Sequence, residues 1–182
     1  MNLASSVPWS PGRKREFSST WKERYQEALA LSNTLVTQHP TVPAYQALLS
    51  RVHLRLADVH VSENNRSVAE EHLHKAHTGL SQLIHQDLAA SSYMCDYLKA
   101  TQSLGRLLLR NGAAQEGRLL LEKDLSEIER MMQRGPRRKQ EWVLLGRQYS
   151  TLAMLYEALN EVPAAKQARK RARRIENEQA LF

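Results

Sequence analysis

The side chains best equipped for chemistry are histidines, and three of the seven stand close together as His72, His74 and His77. Imidazole is a common metal ligand and a ready acid or base near neutral pH. On a helix His74 and His77 share a face, while His72 points elsewhere. A structural transition-metal site takes about four ligands, and neither a cysteine nor a third histidine is spaced to complete one. The sequence therefore predicts no metal and no cofactor, and leaves these as surface or part-buried histidines. The single cysteine, Cys95, has no internal disulfide partner, which fits a reducing compartment. Serine, histidine and aspartate combine freely on paper in such a chain, but no Gly-rich catalytic loop frames any combination. The chain is read as a non-enzyme.

Charge supplies the next constraint. The formal net charge is +7 and the pI about 9.8, so acidic surfaces are the natural partners. Arg13, Lys14 and Arg15 lie in a stretch with Pro8, Pro11, Gly12 and four serines, which cannot bury a helix face. Residues 1–18 are expected to form a flexible basic arm, with one helical domain over 19–182. A second basic run, Lys166, Arg169, Lys170, Arg171, Arg173 and Arg174, wraps most of its helix. It lacks the aromatics that stack on bases, so nucleic acid is disfavoured as a partner. No apolar stretch approaches the roughly 20 residues that cross a bilayer, and no secretory signal is expected at the start. A cytoplasmic protein without a membrane contact is expected.

The elements that must position these residues are repeats. Leu56 to Leu73 returns after 48 residues as Leu104 to Leu121, and after 48 more as Leu152 to Arg169. Three columns carry the register: Ala57, Gly105 and Ala153; Asn64, Gly112 and Asn160; Ala69, Gly117 and Ala165. Asparagine and glycine adopt the left-handed conformation that ends a helix, so the middle column marks a turn. Small residues on either side let two antiparallel helices cross closely. In this register Cys95 aligns with Ala47 and Val143, a small core position and not a nucleophile.

Helical periodicity then predicts an all-α chain of about seven helices. The first starts at Thr20, where Glu23 offers a capping box, and runs to about His39; Pro40 and Pro43 break it. The others cover about 44–62, 67–86, 89–110, 113–133, 138–158 and 163–180, with a capping box at Ser67 and Glu70. Tyr45, Leu48, Leu49, Val52, Leu56, Val59 and His60 form the buried stripe of the second helix. Val68, Leu73, Ala76, Leu80, Leu83 and Ile84 form that of the third. The first helix matches the second member of a hairpin, so the array opens on half a repeat.

Leu56-Ala57, His60, Ala69, Leu73 and Ala76 resemble the tetratricopeptide repeat (TPR), as do Leu152-Ala153, Tyr156, Ala165 and Ala172. Leu104-Gly105, Leu108, Gly117 and Leu121 follow the pattern, but Asp124 stands where its last small residue belongs. The tryptophan-like position is occupied by His53, Thr101 and Tyr149. The usual unit is about 34 residues, and helices longer by about two turns each account for the excess. In this long form, TQHPTVPAYQALLSRVHLRLADVHV and YQEALALSNTLV are similar to the arrays that follow the catalytic domain in planctomycete-type bacterial serine/threonine protein kinases. Kinase activity does not carry over, because the Gly-rich loop, the HRD-type catalytic loop and DFG are missing.

What the resemblance implies is a right-handed solenoid of antiparallel hairpins whose first helices line a concave groove. The groove positions fall on Arg51, Lys99 and Arg147; on Leu54, Gln102 and Ser150; on Asp58, Arg106 and Met154; and on Val61, Leu109 and Glu157. With Arg110, five positive charges would line one surface. Guanidinium forks suit carboxylates, so the expected partner is an acidic peptide or protein segment held by a non-catalytic scaffold. Self-association is a further option. The alternative reading is the detached regulatory array of a bacterial serine/threonine kinase, with Met1 an internal start.

Overall fold

The computed structural model describes residues 11–86, 90–132 and 138–179, and these residues form helices and turns without a strand. The helices are α1 (Pro11–Gln38), α2 (Pro43–Ser62), α3 (Arg66–His85), α4 (Ala90–Arg110), α5 (Ala114–Met132), α6 (Lys139–Ala158) and α7 (Val162–Gln179). Residues 1–10, most of the expected arm, lie outside the described residues. α1 begins at Pro11, ahead of the start expected at Thr20. A proline is tolerated in a first helical turn, where its missing N–H is no loss. α2 likewise opens on Pro43.

The three hairpin turns share one construction. Asn64, Gly112 and Asn160 have φ of 62°, 81° and 60°. The residue after each closes a bond back across the turn: the Asn65, Ala113 and Glu161 amides donate to the carbonyls of His60, Leu108 and Tyr156 at 2.8, 2.9 and 2.8 Å. This is the Schellman arrangement that satisfies the last carbonyls of a helix. α3 then starts at Arg66 after Asn65, without a side-chain cap, so the capping box expected at Ser67 does not form.

Packing follows the same rhythm. α2 with α3, α4 with α5 and α6 with α7 make hairpins, each hairpin packs on the helix before it, and α2, α4 and α6 touch side by side. The small columns sit at the crossings, with Ala57, Ala69, Ala153 and Ala165 all buried. At Gly105 an added Cβ would lie 2.4 Å from the Leu121 Cδ1 methyl, and at Gly117 one would lie 2.9 Å from a Leu155 methyl. Leu56, Leu73, Leu80, Leu104, Leu108, Leu121, Ile128 and Leu145 fill the core between the layers. Two members of the expected stripes lie outside it: Leu48 and Val68 are exposed, whereas Ser50 and His53 are buried.

Candidate functional site

The row formed by α2, α4 and α6 presents the expected groove positions, and the structure separates them into three groups. Near the N-terminal halves of α2 and α4, Arg51 Nε lies 2.6 Å from Asp96 Oδ2 and Lys99 Nζ lies 3.6 Å from Asp96 Oδ1. One carboxylate thus answers two of the five expected charges. Asp96 was absent from the sequence reading, although its place three residues before Lys99 on one helix is a visible signal. Leu54 is half-buried against the core, and Gln102 of α4 is half-buried.

The second group is a cavity of about 240 Å³ between α2, α3 and α4. Ala57, Val61, Leu73 and Leu107 give it an apolar floor, while Asp58, Ser103, Arg106 and Arg110 supply polar walls. Asp58, Val61, Arg106 and Arg110 were all expected in the groove, and here they meet. No ion pair engages the guanidinium groups of Arg106 and Arg110 among the described residues. Asp58 leans on Arg55 of its own helix at 3.4 Å and remains 63% exposed. Partial desolvation raises its carboxyl above the ordinary value, and Arg55 pulls the other way.

The third group lies on α6. Arg147, Ser150 and Met154 are exposed there, and Ser150 Oγ turns back to donate to the Gly146 carbonyl at 3.2 Å. Glu157 is engaged by Arg169 of α7, and Leu109 packs on the core. Cys95 is half-buried, and burial followed by the Glu141 charge pushes its thiol up.

No protein-family model matches the chain, and no curated protein sequence does. A solved structure matches: the crystal structure of nearly identical TPR-like repeats from a candidate kinesin light chain of Podosopora anserina. The match has a TM-score of 0.50 at 16% identity and covers 94% of this chain and 98% of that one. The fold is TPR-like. In the TPR-like register the tryptophan-like column is polar in every hairpin, and each member is bonded to another helix. His53 and His72 face each other through their Nδ1 atoms at 2.9 Å, Thr101 Oγ1 donates to Asp124 Oδ2 at 3.0 Å, and Tyr149 donates to Glu129 at 2.8 Å.

Asp124, the departure from the TPR pattern, anchors the largest of these networks. It is 3% exposed and also meets His77 Nε2 at 2.6 Å, so α3, α4 and α5 converge on one carboxylate. Burial and then the Asp124 charge push the Tyr97 hydroxyl far up. The three neighbouring histidines of the sequence accordingly go three ways: His72 to α2, His77 to Asp124, and His74 outward near Glu70. Among the described residues no group of three or more His, Cys, Asp or Glu is arranged to hold a metal ion, and no helix is long and apolar enough to cross a membrane.

Proposed function

We propose that this TPR-like array is a non-catalytic scaffold that holds an acidic segment of a partner protein along α2, α4 and α6. The observation that carries the reading is the cavity at the α2–α4 junction, where Arg106 and Arg110 stand over an apolar floor beside Asp58, and where among the described residues no carboxylate forms an ion pair with either arginine. An extended segment with a carboxylate beside a small apolar side chain fits that combination. The basic surface of α7 offers less, because Arg169 and Arg171 are already tied to Glu157 and Glu129. Likeness to kinase-linked arrays supports a second, narrower version, in which the groove recruits a partner for a kinase. Co-immunoprecipitation with a serine/threonine kinase of the same cell, lost in the groove variant below, would support that version.

The test is a peptide-display selection on the full chain, followed by titration of the enriched peptides. Enrichment of acidic sequences is expected, with affinity lost in Arg106→Glu/Arg110→Glu. A hydrogen bond to a charged group contributes about 1.5–3 kcal/mol, so the loss is about tenfold or more per arginine. Arg51→Glu should cost much less, since Asp96 already occupies that side chain. Enrichment of basic or uncharged sequences, or equal loss in both variants, would overturn the reading.

A further inference from the structure

Three imidazoles that the groove does not use are packed inside the α2–α3 hairpin. His53 and His60, both on α2, are 7% and 8% exposed, and His72 of α3 lies between them. The His60 and His72 rings stack with centroids 5.5 Å apart, and the His53 and His72 rings stand 5.1 Å apart. The 2.9 Å between the Nδ1 atoms of His53 and His72 requires one N–H donating to the other ring's lone pair. That geometry accepts two neutral rings or one shared charge. Two protonated rings would turn N–H against N–H. His60 Nδ1 is buried without a hydrogen bond, 3.5 Å from Glu63.

We propose that the His53–His60–His72 stack is an acid-responsive joint: neutral rings hold α2 against α3, and protonation of the stack loosens this hairpin ahead of the rest of the array. The repeat itself supplies the contrast. Forty-eight residues on, the positions of His60 and His72 are held by Leu108 and Leu120, a core leucine and a half-buried one, so the joint is built at apolar positions of one hairpin only.

The surrounding charges act unequally. From α1, Lys22 approaches and binds Glu63 at 2.7 Å; α3 adds Lys75 and Glu71; α4 covers the hairpin with Leu104, Leu107 and Leu108. Glu63, held below the usual carboxylate range by Lys22, stays ionised in mild acid and favours a proton on His60, but burial and Lys22 oppose it. Burial lowers all three imidazoles; His53, opposed next by His72 and Lys75, falls to about 4. A folded value below the unfolded one leaves stability intact above about pH 6.5 and removes it as pH falls towards 4.

The experiment is hydrogen exchange of the full chain, corrected for intrinsic rates, at about pH 7.5 and about pH 5. A site near 4 against an ordinary 6.5 gives about a thirtyfold fall in α2–α3 protection at pH 5, with α6–α7 protection retained. His53→Thr/His60→Leu/His72→Leu, copied from the next repeat, should abolish the fall. Should that variant not fold, imidazole proton resonances of the wild-type chain replace it, with titration of all three rings shifted to acid expected. Equal protection of the two regions at both values, persistence of the fall in the substituted variant, or three rings titrating near 6.5 would each overturn the proposal.

Discussion

Removing the Asp124 carboxylate probes the interior of the array most sharply, because three donors from two other helices converge on it. In Asp124→Ala, Thr101 loses the acceptor 3.0 Å from its hydroxyl and His77 loses its 2.6 Å partner, while Tyr97 loses the charge it faces. Thr101 and Tyr97 are 0% and 1% exposed, so water does not replace what they lose. Each buried group left without a partner costs about 1–3 kcal/mol. His77, 14% exposed at its side chain, recovers part of its loss. The sum is about 3–5 kcal/mol. Melting temperature should fall on the order of 10 °C for a chain of this length. Far-UV circular dichroism with urea and heat reads both. Tyr97→Phe/Thr101→Val/Asp124→Ala also removes donors and should recover part of the loss, since an apolar replacement of a whole network is far less costly than half of one. Asp124→Ala within about 1 kcal/mol of wild type, or a triple variant weaker than the single one, would refute this account.

Two further outcomes test the hairpin geometry. Gly105→Val adds atoms where even a Cβ would sit 2.4 Å from a methyl of the fully buried Leu121, and urea titration should show a loss of about 1–3 kcal/mol. Asn160→Gly should match or slightly exceed wild type in the same titration, whereas Asn160→Ala, forced to φ near 60°, should lose about 1 kcal/mol.

Much of this architecture was legible because repetition multiplies weak signals. Asn64 alone is an ordinary polar residue, but with Gly112 and Asn160 at constant spacing it marks three left-handed helix ends, and all three have positive φ. The small columns worked for the same reason, as Gly105 and Gly117 sit where a Cβ would collide. The register placed Asp58, Val61, Arg106 and Arg110 on one face together with nine other residues, and of them only these four line the cavity. Helix starts were less legible: Pro11 and Gly12 belonged to a stretch expected to form a flexible arm, yet proline is at home in a first turn, and α1 begins there. Hydrophobic period alone placed Leu48 and Val68 on buried stripes, because it does not show which flank of a helix the next hairpin covers. Partners set by tertiary approach were beyond reach. Nothing along the chain pairs Arg51 with Asp96, His53 with His72 or His77 with Asp124. Those three contacts decide which charges remain available, which imidazoles are buried and why Asp124 stands in a small residue's place.

Binding at the junction of α2 and α4 is tested most directly by an NMR titration of the labelled chain with a display-selected acidic peptide. Amide shifts concentrated at 57–61 and 103–110, and missing in Arg106→Glu/Arg110→Glu, are the predicted result. Shifts concentrated on α7, or along α3 and α5 with that groove silent, would contradict it.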